Sequence, residues 1–264
     1  MSGFAECGWQ IFEEAGLDAW RKAALPVALA LGRDPEARAA WLRHGATWFA
    51  GVNILPNDAQ GALAGGPPLA GAAVEFCAAL HSAPIDWDRG QISIVYPGYP
   101  RQEAQEGDAA HAFRRKRDAA HVDGLLPVGT ARRRMMKEPA SFVLGIPLTE
   151  AGEGASPMVI WEGSHLIMAE AFSEALKTIP MDVWPDHDLT EVYQAARRRV
   201  FETCRRVPIS ARPGAAYVID PLALHGVAPW EDGAQAAPEG RVIAYFRPAF
   251  PGSNSGANWL RRPR

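Results

Sequence analysis

The stretch Ala120-His121-Val122-Asp123-Gly124 sets an imidazole and a carboxylate two residues apart, and in an extended strand that spacing turns both side chains to one face. Both residue types ligate metals. A third donor of the same kind stands far downstream, in Asp220-Pro221-Leu222-Ala223-Leu224-His225, just past a strand-like run. Two neutral imidazoles and one carboxylate form a facial triad that suits Fe(II) and leaves three positions of an octahedron open for a bidentate cosubstrate and dioxygen. The candidate metal ligands, and the centre of any catalysis, are therefore His121, Asp123 and His225.

For these three to meet, the chain between them must bring distant strands side by side. Residues 47–55, 91–96, 141–148, 157–161, 215–220 and 241–246 read as short apolar strands bounded by Gly- and Pro-containing turns. Residues 8–44 are rich in Ala and Leu and predict two helices, broken near Pro26 or Gly32, with Asp34-Pro35-Glu36 as an N-terminal signature. A further short helix is expected over residues 71–81 and another over 192–205, opened by Asp188-Leu189-Thr190-Glu191. Residues 101–118 show no apolar period and read as an exposed loop. The sum is a mainly β fold with helical additions (α+β), a double-stranded β-helix or jelly roll. It is expected as one domain over residues 1–264, with a mostly helical part over residues 1–90 packed on the β core.

Composition narrows the partners. With 27 Lys and Arg against 30 Asp and Glu the net charge is −3, which carries no global nucleic-acid signature. Cys7, Cys77 and Cys204 lie far apart and form no CxxC pair, so neither a structural zinc site nor a disulfide framework is indicated, and a reducing, cytoplasmic setting is expected. No membrane anchor or signal peptide is expected, since the apolar stretch at 23–32 is too short to span a bilayer and contains Pro26. No Gly-rich phosphate-cradling fingerprint follows a strand.

Three segments together resemble the phytanoyl-CoA dioxygenase-like family of Fe(II)/2-oxoglutarate oxygenases. They are His121-Val122-Asp123, the run from Ala155 to His165 ending in Gly163-Ser164-His165, and Pro213-Gly214 through Ile219-Asp220 to His225-Gly226, with Arg241-Val242-Ile243-Ala244 beyond. The resemblance covers roughly residues 90–250. It implies iron ligation by His121, Asp123 and His225, with Fe(II) and 2-oxoglutarate as cofactor and cosubstrate. It also implies an arginine that holds the distal carboxylate of 2-oxoglutarate through paired hydrogen bonds. Arg241 matches that arginine. The gap after His225 is longer than the family shows, which makes Arg247 a competitor on the same strand face. The hydroxyl that many relatives place two residues after the last histidine is replaced by Val227. Relatives that halogenate lack the carboxylate ligand, so Asp123 implies hydroxylation or a related C–H oxidation.

Basic runs flank the iron motif, with eight positive charges between Arg114 and Lys137. Solvated loop charge is the plainer reading; the sharper one is an entrance for a small anionic organic substrate, with Arg132 and Arg133 as contacts. Trp48 and Tyr96 are expected to line the pocket, though core packing accounts for such aromatics equally well. His165 is expected to cap a turn. Two other classes stay open: a cupin-like metal dioxygenase that takes no 2-oxoglutarate, and a non-catalytic metal-binding or regulatory protein of the same fold.

Overall fold

The structure is a computed structural model that describes residues 2–13, 15–81, 83–252 and 255–261. Its strands are β1 (Trp9–Phe12), β2 (Leu42–Arg43), β3 (Trp48–Gly51), β4 (Gln91–Val95), β5 (Leu125–Val128), β6 (Arg133–Met136), β7 (Val143–Pro147), β8 (Met158–Trp161), β9 (Arg206–Ile209), β10 (Ala216–Ile219), β11 (His225–Val227) and β12 (Arg241–Phe246). The helices are α1 (Ser2–Cys7), α2 (Asp18–Arg33), α3 (Pro35–Trp41), α4 (Ala72–His81), α5 (Asp108–Lys116), α6 (Ser164–Leu176), α7 (Thr190–Thr203) and α8 (Ser255–Leu260).

Seven strands form a major sheet in the order β1-β10-β7-β12-β4-β3-β2, and three form a minor sheet, β11-β8-β9. The pairings are antiparallel. The two sheets face each other as the expected jelly roll, so that strands far apart in sequence lie side by side. A separate hairpin, β5-β6, stands beside them.

Period-two alternation sorts side chains between layers. On β12, Ile243 and Tyr245 point between the sheets, where they meet Ile160, Tyr217 and Val143. Val242, Ala244 and Phe246 point outward and pack under α2, against Trp20, Ala24 and Ala28. On β8, Met158 and Ile160 face inward while Val159 and Trp161 pack against α6 and α7 through Phe172, Tyr193 and Val200. Each such large side chain removed from water contributes about 1.5–3 kcal/mol. The β core is thus sandwiched by helices and held rigid where the site needs it.

Several elements differ from the sequence reading. Of the two expected break points only Pro26 fails: the first long helix runs through it and ends at Arg33, just past Gly32, and Asp34 caps α3 as expected, accepting from the Ala37 amide at 2.8 Å. Residues 108–116, read as loop, form α5, whose ring contacts to α7 (Phe113 with Phe201) are aromatic rather than periodic-aliphatic. Strands β1, β5, β6 and β9 and helix α6 are additional. Asp188 bonds Thr190 locally instead of reaching residue 191. Residues 1–90 supply β1, β2 and β3 to the major sheet besides their helices. Among the described residues no helix is long and apolar enough to cross a membrane.

Candidate metal centre

His225 opens β11, and its neighbour across the site, His121, is not in a strand. The two residues instead form a single antiparallel bridge, exchanging backbone hydrogen bonds of 2.8 and 2.9 Å. After it the chain turns at Asp123, whose amide donates to the Pro221 carbonyl at 2.9 Å. The HxD stretch is therefore a one-residue bridge followed by a turn, a correction to the extended strand that its spacing suggests. The turn still brings Asp123 back beside both rings.

Close approach of the two segments depends on Gly226. A Cβ there would stand 2.1 Å from the Asp118 carbonyl oxygen, so no larger residue fits beside His225. On the other side Asp118 and Ala119 hold φ of 54° and 53°, a left-handed conformation costly for non-glycine residues. Arg206 fixes it by gripping the buried Asp118 carboxylate with two hydrogen bonds, 2.7 and 2.8 Å.

The imidazoles are oriented by their own chain. His121 Nδ1 lies 3.1 Å from the Ala119 carbonyl and His225 Nδ1 2.8 Å from that of Ala223. Donation from Nδ1 leaves Nε2 of each ring as the free lone pair. These two atoms lie 3.7 and 3.9 Å from Asp123 Oδ1, and one ligand atom from each residue falls within 4.8 Å of the others. Two atoms bound to one ion at about 2.1 Å each can be at most about 4.2 Å apart, so the carboxylate and either ring fit a shared ion as they stand. One edge of the His121 ring opens into a cavity, yet burial by the surrounding chain, aided by His225, pushes its pKa down to about 4. It is then neutral and able to ligate. Burial raises the Asp123 pKa, but Arg247, with Nη1 3.7 Å away, and the two rings outweigh it and hold the carboxyl below its usual range. The donor set is the neutral-imidazole and carboxylate set a divalent first-row ion takes.

The triad forms part of the wall of a cavity of about 340 Å³. Trp48 lines it and donates its indole N–H to Ser93 Oγ at 2.9 Å. Arg247 lines it too, engaged with both Asp123 and Gln91 Oε1. Arg241 does not reach it, lying buried between the sheets. Tyr96 packs on the outer side of the major sheet with the α2 cluster. Arg132 is exposed, and Arg133 pairs with Asp188 at 2.5 Å on the hairpin. The basic residues that do border the site are Arg114, on the same cavity, and Arg134 and Lys137, on a second cavity of about 810 Å³ that shares His121, Asp123 and Arg247. Tyr99, Asp118 and Tyr245 also line the first cavity. Of these, Tyr245 was legible as an inward position, being an even number of residues from Arg241. His165 is buried at the start of α6, its Nε2 3.1 Å from the Ala5 carbonyl.

No family model matches the chain, and no curated protein matches it in sequence. Among solved structures it is similar to SnoK, a non-haem α-ketoglutarate-dependent carbocyclase from nogalamycin biosynthesis, at 16% identity over 99% of this chain and 89% of that one, TM-score 0.48. It is similar to SnoN, the epimerase of the same biosynthesis, at 15% identity over 94% and 81%, TM-score 0.46. It is similar to EctD from S. alaskensis, solved with 2-oxoglutarate and 5-hydroxyectoine, at 17% identity over 93% and 73%, TM-score 0.43. What this chain does is read from its own residues.

Proposed function

We propose that the protein is an Fe(II)- and 2-oxoglutarate-dependent dioxygenase of the phytanoyl-CoA dioxygenase-like kind, which hydroxylates a C–H bond of a small organic substrate. The observation that carries this reading is the convergence of His121, Asp123 and His225 on the wall of a cavity, with both Nδ1 atoms tied to backbone carbonyls and one side of the cluster open. Fe(II) with 2-oxoglutarate supplies reductive activation of dioxygen, with loss of CO2, formation of succinate and delivery of one oxygen atom to the substrate.

The chain's own part is geometric and electrostatic. His121 and His225 present Nε2 in fixed orientation, and Arg247 keeps Asp123 charged and aimed. Tyr99 and Trp48, in edge contact with each other, form part of the apolar wall of the cavity. Arg114 and Lys137 border the two cavities but are paired with Glu106 and Asp186, so the charge that favours an anionic substrate is that of Arg134 on the second cavity. Arg132 and Arg133 serve that attraction only at long range.

The test is turnover. Fe(II)-loaded protein should convert 2-oxoglutarate to succinate in an oxygen-dependent manner, and Asp123→Ala should abolish it. A second reading, an oxygenase of this fold that takes no 2-oxoglutarate, is favoured by the position of Arg241 behind the cavity wall. Oxygen uptake with a substrate panel in the absence of any keto acid would select it.

A further inference from the structure

The second cavity, of about 810 Å³, shares His121, Asp123 and Arg247 with the first and extends from them between the β5-β6 hairpin and the segment that follows β12. Two charged residues of its wall, of opposite sign, have no partner. Arg134 stands on β6 across from Pro127, its amide donating to Thr190 Oγ1 at 2.8 Å and its carbonyl accepting from the Leu189 amide at 2.9 Å, so the start of α7 fixes its main chain. Its guanidinium lies 5.9 Å over the Tyr193 ring, and no carboxylate pairs with it among the described residues. Burial, with Arg132 and Arg197 nearby, makes that charge harder to keep.

Asp88 reaches the same cavity from the turn before β4. Asn57 holds that turn, donating to the Asp88 carbonyl and accepting from the Gly90 amide, each at 2.9 Å. Oδ1 of the Asp88 carboxylate is buried with no hydrogen-bond partner, and no cationic side chain pairs with it among the described residues. Burial pushes its pKa up, and the charge of Arg247 does not offset this. The other charged wall residues are accounted for: Lys137 pairs with Asp186, Arg247 with Asp123, and Glu138 is exposed. Leu125, Leu126 and Phe250 supply apolar wall. An unpaired buried charge is costly unless a ligand brings the opposite sign, and a pocket orients its ligand with a few such groups set in apolar surface.

We propose that the second cavity is the substrate chamber and that its substrate is a zwitterion, whose carboxylate meets Arg134, whose ammonium meets Asp88, and whose carbon chain lies on the apolar wall beside the metal. This rests on the reading of the triad as an oxygenase metal centre and adds a cationic end to the anionic one. Arg134 and Asp88 are then specificity-determining residues that hold the two ends of the substrate while a C–H bond between them faces the ion.

The experiment measures dissociation constants by calorimetry on the Mn(II)-loaded protein. The probes are ω-amino acids with one to eight methylene groups between ammonium and carboxylate, together with the alkanoate and the alkylamine of each length. At one chain length the zwitterion should bind about tenfold or more tighter than either singly charged analogue, the worth of one hydrogen bond to a charged group. Arg134→Met should bring that zwitterion down to the alkylamine and leave the alkylamine itself unchanged. Asp88→Asn should bring it down to the alkanoate and leave the alkanoate unchanged. These unchanged affinities are the control for folding; Arg134→Lys should restore part of the preference, and if Arg134→Met does not fold, Asp88→Asn decides alone. Glu138→Gln should have no effect. Proton resonances of the bound carbon chain should broaden with Mn(II) present and not in the metal-free protein. No zwitterion preference at any length, a preference kept in Asp88→Asn or in folded Arg134→Met, its loss in Glu138→Gln, or binding without broadening overturns the assignment and spares the metal reading. A protein that takes up no Mn(II) removes that reading and the assignment together.

Discussion

His121 and His225 exchange backbone hydrogen bonds across a single bridge, so the two rings of the candidate metal site are registered by the main chain and not by their side chains alone. Gly226 is what permits the approach. Gly226→Ala should force the Asp118 carbonyl away, lowering stability by about 1–3 kcal/mol and weakening Mn(II) binding at the same time. Urea unfolding together with a metal titration checks both; a destabilised variant with wild-type metal affinity would separate the bridge from the site.

Arg247 is expected to set the acid limit of metal binding. It is the first of the groups that lower the Asp123 pKa against burial. Removing it in Arg247→Met lets that pKa rise, so the carboxylate protonates at higher pH and metal is lost earlier as the solution is acidified. At pH 7.5 affinity should not fall, because a cation beside the ion has also gone. Metal titrations from pH 8 to 5 on both proteins give the two limbs.

Ligand removal should separate metal binding from folding. Asp123→Ala and His225→Ala each take away a first contact to the ion, and even outer partners of such ligands are worth about 10–100-fold in affinity. Losses on the order of a hundredfold or more are expected, with the far-ultraviolet circular dichroism of wild type. Loss confined to a fewfold would mean the ion sits elsewhere.

The Asp118 side chain is 3% exposed, and among the described residues its ion pair is with the half-exposed Arg206. Arg206→Met leaves that carboxylate unpaired beneath the left-handed turn that carries Ala119 and His121. A loss of about 2–4 kcal/mol is expected, at the lower side of the range for breaking buried pairs because Arg206 is partly in water. Asp118→Asn in the Arg206→Met background should recover part of it.

The sequence carried the site further than it carried the elements around it. His121, Asp123 and His225 are identifiable because chemistry restricts metal ligands to few residue types, and the inward facing of Arg241, Tyr245 and Arg247 follows from strand alternation. A two-residue spacing is met equally well by a strand and by a bridge followed by a turn, so spacing alone does not distinguish the two at His121. Helix α5 leaves no apolar period in the sequence because arginines and aromatic rings, such as Arg197 over Phe113 at 4.7 Å, replace an aliphatic stripe. Tyr96 and Tyr99 look alike in sequence, yet the turn between them sends Tyr96 to the outer layer and Tyr99 to the cavity. No local pattern distinguishes them.

Stability should fall as the solution is acidified below neutrality. His44 and His81 are buried, and desolvation is the leading cause that lowers both pKa values below 6.5. The unfolded chain then takes up protons that the folded one refuses, so the stabilisation is full above about pH 6.5 and declines as pH drops toward the lower folded values. Urea midpoints at pH 8 and pH 5.5 measure the decline, and ring proton shifts should show these two histidines titrating below the ordinary range.

The most direct test of the central claim is the visible absorption of the anaerobic Fe(II) protein during titration with 2-oxoglutarate. Bidentate chelation at a triad with three open positions should produce a saturable metal-to-ligand charge-transfer band in the wild type, absent in Asp123→Ala. A wild type that binds Fe(II) at one equivalent and develops no band at saturating 2-oxoglutarate would contradict the account.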